Sequence, residues 1–278
     1  MLIHDRLVFL QLQKTACTHI AAELQQRLGG TLVGKHQPLG SSPDGRLIVG
    51  SVRNPWDWYV SLWAYGCSGQ GMVHRILARG SPVSVLRRAV RNPRAWPAAV
   101  SLALRSSGED RAFWQRVYRD PDDPGAFRAW LVRLLTTHAK ADVFEDWRKL
   151  PLFEHVGLYS ARYAQMFTLA GAWQRQAASI STVEGFRAYL EAELLVDRFI
   201  LMERLEEDLA ALLCELGQQC TADDLRGAKR NASRRRGYTF YHDAETEGLI
   251  AQQDRLVAER HGYSPREDLA AAQTGRSA

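Results

Sequence analysis

The sequence predicts an α/β protein, a three-layer core around a parallel sheet, and three observations carry that expectation. Leu7 to Leu12 and Leu47 to Val52 are short, almost continuous apolar runs, the pattern of strands buried on both faces. Each run passes through a few small or polar residues into a stretch with helical periodicity. The order strand, helix, strand, strand, helix within about the first 65 residues favours βα units over a bundle or a sandwich.

Leu7 to Leu12 (LVFLQL) opens the sheet, and the small polar segment Gln13 to Thr18 leads into a helix with Ile20, Leu24 and Leu28 on one face. Gly29-Gly30 stops that helix. Thr31 to Val33 forms a second short strand, left through the loop Gly34 to Leu39. Leu47 to Val52 is the third strand; it ends at Arg53, with Asn54 as the N-cap and Pro55 in the first turn of the next helix.

From about 66 to 195 the pattern becomes mostly helical and is punctuated by Pro and Gly, which predicts a helical insertion in the domain. Arg75, Arg79, Arg87, Arg88, Arg91, Arg94, Arg105 and Arg111 accumulate there, a weak hint of an anionic or sugar-rich ligand. Ala126 to Leu135 reads as one helix with Phe127, Trp130, Leu131 and Leu134 on its buried face. Arg198 to Met202 reads as a late core strand, Leu205 to Leu216 as a helix ended by Gly217, and Ala244 to Arg260 as the final helix. Residues 1–265 are expected to form a single domain, with 266–278 as a flexible tail.

The chain has 278 residues, 46% of them hydrophobic and 24% charged, which excludes disordered, collagen-like and disulfide-dense classes. Cys17, Cys67, Cys214 and Cys220 lack short metal-ligand spacing, so no metal site is expected and each reads as a small buried hydrophobe in a reducing compartment. No stretch reaches eighteen apolar residues and the N-terminus lacks a signal-peptide pattern, which predicts a soluble, cytoplasmic protein. The net charge of +5 rests on Arg, because Lys occurs only at 14, 35, 140, 149 and 229. Arg grips phosphate, sulfate and carboxylate with a planar fork, although a codon bias explains the same composition equally well.

The chemistry concentrates at two strand ends. A small-residue loop between a buried strand and a helix N-terminus presents backbone N–H groups and the positive end of the helix dipole to an anion. Lys14 adds a charge there, and Thr15, Cys17 and Thr18 can add side-chain donors; an ordinary polar turn is the competing reading. No glycine precedes Lys14 in the positions a Walker loop requires, so an NTPase reading fails. Arg53, at the carboxyl end of the third strand, points into the crevice where α/β sheets bind ligands, and Ser61 can offer a hydroxyl two turns later. Trp56, Trp58, Tyr59, Trp63 and Tyr65 around them read as core more readily than as a ligand platform.

The segment FLQLQKTACTHI resembles the 5′-phosphosulfate loop of sulfotransferases, a strand followed by Pro-Lys-(Thr/Ser)-Gly-(Thr/Gly/Cys)-Thr. VRNPWDWYVSLWAY resembles their 3′-phosphate motif, an Arg followed by Asn/Asp-Pro and, eight residues after the Arg, a helical Ser. The stretch from about 195 to 265 is similar to the C-terminal third of bacterial and Golgi-type carbohydrate sulfotransferases; with residues 1–65 it delimits the resemblance and leaves the middle unmatched. The resemblance implies 3′-phosphoadenosine 5′-phosphosulfate (PAPS) as sulfuryl donor on a P-loop-like phosphosulfate loop. It assigns Lys14 to the phosphosulfate, Thr15, Ala16, Cys17 and Thr18 to the 5′-phosphate cradle, and Arg53 with Ser61 to the 3′-phosphate. His19 stands where cytosolic relatives carry an adenine-stacking aromatic, and Arg234, Arg235 and Arg236 resemble a basic loop that some relatives close over the 3′-phosphate. Gln13 and Ala16 depart from the pattern, replacing Pro and Gly. An alanine disfavours positive φ, so either Ala16 sits at negative φ or the loop geometry differs.

The acceptor, a hydroxyl or amine of a carbohydrate, lipid or natural product, must lose a proton as the sulfuryl group arrives. His36 in GKHQPL is the candidate base, with Lys35 beside it as an alternative sulfate contact. The scheme needs no metal and no nucleic-acid partner. Two other readings stand beside it: a basic nucleic-acid-binding protein using Arg226 to Tyr241, and a catalytically inactive relative that binds PAPS without turnover.

Overall fold

The computed structural model describes residues 1–43, 45–78, 108–137, 139–143, 150–226 and 235–266. The strands are β1 (Leu2–Ile3), β2 (Leu7–Leu10), β3 (Thr31–Leu32), β4 (Leu47–Val52) and β5 (Arg198–Leu201). The first helices are α1 (Cys17–Leu28), α2 (Pro55–Cys67), α3 (Met72–Leu77), α4 (Gly108–Val117), α5 (Pro124–Thr136) and α6 (Ala139–Val143). They are followed by α7 (Leu158–Phe167), α8 (Ala170–Gln176), α9 (Val183–Glu193), α10 (Leu205–Glu215), α11 (Ala222–Leu225), α12 (Ala244–Gln253) and α13 (Arg255–His261).

The sheet order is β3-β1-β2-β4-β5. β2, β4 and β5 are parallel, as the buried apolar runs predict, with Val8 opposite Ile48 and Gly50 opposite Phe199. The sheet as a whole is mixed, so the expected parallel sheet holds for its central strands alone: β1 runs antiparallel to both β2 and β3. The cause is the short link between β1 and β2, closed by His4 N–H donating to Leu7 O at 2.9 Å; a connection that short can only return the chain antiparallel.

Alternate strand residues enter separate clusters. Leu7, Phe9, Val49 and Ile200 pack on Ile20 and Leu24 of α1 and on Leu209 and Leu213 of α10. Val8, Leu10, Ile48 and Val52 face the larger cluster built from α2, α5, α7, α9, α12 and α13. The period of two along each strand thus produces helices on both faces of the sheet, the expected layering. Gly50 has no side chain because Phe167 and Phe199 press on it; a Cβ there would lie 2.9 Å from both rings.

The described part of the 66–195 segment is helical, and Trp130, Leu134, Tyr159 and Phe186 share the core with the sheet and α2. Arg79, Arg87, Arg88, Arg91, Arg94 and Arg105 lie outside the described residues, as do 267–278 of the expected tail. The final helix is two helices, broken at Asp254 (φ −110°, ψ 21°). Its fully buried carboxylate accepts hydrogen bonds from Tyr59 Oη at 2.8 Å and Ser160 N at 2.7 Å, tertiary demands that override helical periodicity. No helix among the described residues is long and apolar enough to cross a membrane.

Candidate functional site

The loop between β2 and α1 is built on left-handed backbone. Lys14 (φ 65°) and Ala16 (φ 54°) both lie at positive φ, as does His36 (φ 58°). Ala16 therefore takes the glycine-like conformation the sequence argued against, at a cost of about 1–2 kcal/mol. Its carbonyl accepts from His19 N at 2.8 Å and Ile20 N at 3.1 Å, and tertiary contacts of the loop hold the strained turn in place. Trp58 Nε1 donates to Gln13 O at 2.8 Å, and Arg53 Nη1 donates to Lys14 O at 3.1 Å. α1 has no side-chain N-cap, so its first N–H groups and dipole face the loop.

The side chains behave less uniformly than expected. Thr15 is fully buried; its hydroxyl donates to Leu12 O at 2.7 Å and lies 2.7 Å from Ser51 Oγ. The hydroxyl pins the loop to β4 and is not a free side-chain donor. Cys17 is buried, and burial pushes its thiol up from the usual range, which keeps it neutral. Thr18 Oγ1 accepts from Lys35 Nζ at 2.8 Å, joining the loop after β3 to the start of α1. His19 is buried within the first turns of α1, so it does not present an open stacking face.

Arg53 leaves the end of β4 only 9% exposed. Its Nε and Nη2 lie 2.6 and 2.5 Å from Asp57 Oδ2, and Asp57 Oδ1 lies 2.5 Å from Arg235 Nη2. The strand-end arginine and the C-terminal basic segment therefore meet on one carboxylate. Ser61 is buried one turn beyond Asp57 on the same helix face. Arg236 turns away: its guanidinium lies 4.5 Å from the Phe240 ring centre and 3.6 Å from Asp122, so it does not join Arg53. Arg234 lies outside the described residues.

Lys14 is held down to about 8, first by burial and then by the positive charges of Arg53 and Arg235. Its Nζ sits 4.1 Å from the centre of the Tyr65 ring. The other aromatics of α2, Trp56, Trp58, Tyr59 and Trp63, are core, as their helical spacing suggests. His36 Nδ1 is 2.7 Å from Gln11 O. A carbonyl only accepts, so Nδ1 carries the proton and the Nε2 lone pair is left for base chemistry. Burial lowers the His36 pKa, the Gln11 bond opposes that shift, and the charges of Lys35 and Arg162 add to it.

No family model, curated protein or solved structure matches this chain. What the site can do rests on its own geometry: Lys14, Arg53 and Arg235 converge on a strained loop at a helix N-terminus, with one carboxylate among them and a neutral imidazole nearby. The chemistry of such a set suits a multiply charged anion and the movement of one proton. Among the described residues, no group of three or more His, Cys, Asp or Glu could hold a metal ion. A surface depression of about 200 Å³ lined by Arg187, Leu190 and Arg260 includes none of these site residues.

Sequence reasoning missed four participants. Asp57 carries a signal in hindsight, since Arg53 and Asp57 stand at i,i+4 spacing. Tyr65 was weighed only as one aromatic of the helix. Arg162, whose Nη2 is 3.4 Å from Gln13 Oε1, and Tyr159, whose hydroxyl bonds Arg53 N and O at 3.0 and 2.9 Å, come from α7, far along the chain, and carry no local signal.

Proposed function

We propose that this protein is a PAPS-dependent sulfotransferase acting on a hydroxyl or amine of a carbohydrate, lipid or natural product. The observation that carries the reading is the hydrogen bond from Arg53 to Lys14 O: it joins the two segments that resemble phosphosulfate and 3′-phosphate motifs into one cationic site. The residues present fit such a donor. The left-handed loop and uncapped α1 suit the 5′-phosphosulfate, and Arg53, Arg235 and Ser61 suit the 3′-phosphate.

When bound, the donor supplies a sulfuryl group on a phosphate leaving group. Lys14 and the N–H groups at the start of α1 stabilise the charge that grows on the 5′-phosphate oxygen as its bond to sulfur breaks. His36 Nε2 takes the proton that the acceptor oxygen or nitrogen loses as its bond to sulfur forms. Lys14 is less than fully protonated near its depressed pKa of about 8, and an anion beside it restores the charged form.

The competing readings draw less support. Tyr241, within the basic stretch, is fully buried and donates to Pro121 O at 2.7 Å, so it is core and not a platform for bases. Ala16 adopts the left-handed conformation despite its side chain, which removes one motive for an inactive relative. The test is incubation with ³⁵S-labelled PAPS and panels of glycan, lipid and phenolic acceptors. Label should move to an acceptor with the wild type and not with Lys14→Ala; label that stays on the donor across all panels would overturn the assignment.

A further inference from the structure

Asp57 has a position that neither the anion site nor the proton transfer uses. An acid in the first turn of a helix is ordinary, since it faces the positive end of the dipole. Here, however, the carboxylate is largely withdrawn from solvent and each oxygen faces a different arginine: Oδ2 accepts from Nε of Arg53 at 2.6 Å with Nη2 at 2.5 Å, and Oδ1 lies in ion-pair contact with Nη2 of Arg235 at 2.5 Å. Arg53 and Arg235 come from opposite ends of the chain, and their like charges repel. Asp57 is the group between them.

We propose that Asp57 is a positioning residue that assembles Arg53 and Arg235 into one two-arginine clamp and thereby sets selectivity for an adenine nucleotide carrying a 3′-phosphate over one lacking it. The inference rests on the donor reading above. The hydrogen-bond inventory of Arg53 supports it. Nε–H donates to Asp57 Oδ2 and one N–H of Nη1 to Lys14 O, while Nη2 lies in ion-pair contact with the same carboxylate, so the remaining donors of Nη1 and Nη2 can serve a ligand. Arg235 holds Nη2 in ion-pair contact with Asp57 and donates Nη1 to Arg236 O at 3.3 Å, so its other N–H groups can serve a ligand. The carboxylate thus orients both forks without exhausting them, and a phosphate need not displace it. Ser61, one turn beyond Asp57, completes the same helix face.

Simple electrostatics and positioning make opposite forecasts for Asp57→Asn. Deleting a negative charge beside two guanidinium groups makes the site more positive and should tighten any anion; losing the anchor that holds the forks should weaken the anion that needs both. The experiment is calorimetric titration of the full chain with 3′-phosphoadenosine 5′-phosphate and with adenosine 5′-monophosphate. Asp57→Asn should weaken the bisphosphate about tenfold or more while changing the monophosphate less than about twofold. In the double variant with Arg235→Gln, the loss should be clearly smaller than the product of the two single losses, because the part of the Asp57 effect that acts through Arg235 is already gone while its hold on Arg53 remains to be lost. A purely structural Asp57 would lower thermal stability and leave the ratio of the two affinities unchanged, which overturns the inference; so do equal or tighter bisphosphate binding by Asp57→Asn and losses that multiply. Should Asp57→Asn fail to fold, Asp57→Glu keeps the helix-turn charge and shifts the carboxylate by one methylene, and wild-type selectivity in that variant overturns the inference equally. Failure of the wild type to bind the bisphosphate overturns the donor reading itself, and the inference with it.

Discussion

Replacing Arg53 with alanine removes three contacts at once: the donor to Lys14 O and both donors to Asp57. Sequence alone suggests a loss of binding with the fold intact. The structure adds a stability cost, because a 9% exposed guanidinium is tied to the loop and to α2. A hydrogen bond to a charged group is worth about 1.5–3 kcal/mol, so affinity for 3′-phosphoadenosine 5′-phosphate should fall roughly 10- to 150-fold. Folding stability should fall by about 1–2 kcal/mol, since Asp57 keeps Arg235 while Lys14 O loses a donor. Arg53→Lys keeps the charge but not the fork, and should recover only part of the affinity. Calorimetry with the bisphosphate and urea unfolding of each variant separate the two effects. Wild-type affinity in Arg53→Ala would refute the joining of the two segments into one site.

Three further outcomes are expected. Lys14 has a folded pKa near 8, lowered from 10.5, so the unfolded chain binds the proton more tightly; charged Lys14 destabilises the fold below about pH 8 and that penalty disappears as pH rises toward 10.5. Lys14→Met should therefore be more stable than the wild type at pH 7, with the difference shrinking across that window in urea melts; a constant difference would contradict the burial argument. Turnover, once an acceptor is found, should decline on the acid side only below the ordinary histidine range, because burial lowers the His36 pKa, and His36→Gln should lose turnover while bisphosphate affinity is spared. Ala16→Gly should stabilise the protein by about 0.5–1 kcal/mol, the relief of left-handed strain less the extra entropy of glycine in the unfolded chain; destabilisation would mean that Ala16 is not strained.

Much of the framework was legible because it is written in local pattern. The period-two and buried-run signals of Leu7–Leu10 and Leu47–Val52 give the central parallel pair, and Asn54 caps α2 as expected, accepting from Trp56 N at 2.9 Å. β1 was not legible, being two residues long and specified by a turn and by its neighbours. The break at Asp254 and the bond from Tyr159 to Arg53 depend on residues about a hundred or more positions apart, which no periodicity encodes. At the site, Lys14 and Arg53 stand out by residue type at strand ends and Arg235 only as one of three arginines in a loop named by resemblance, whereas the burial of Thr15 and the departure of Arg236 are decided by packing. The left-handed Ala16 shows propensity overridden by tertiary contacts at the place where function is proposed.

The most direct measurement is calorimetric titration of the wild-type chain with 3′-phosphoadenosine 5′-phosphate against adenosine 5′-monophosphate. Converging Lys14, Arg53 and Arg235 call for micromolar binding of the first, about −8 kcal/mol, and much weaker binding of the second. Equal affinity for the two, or binding of neither, would contradict the assignment of this site to a 3′-phosphorylated sulfuryl donor.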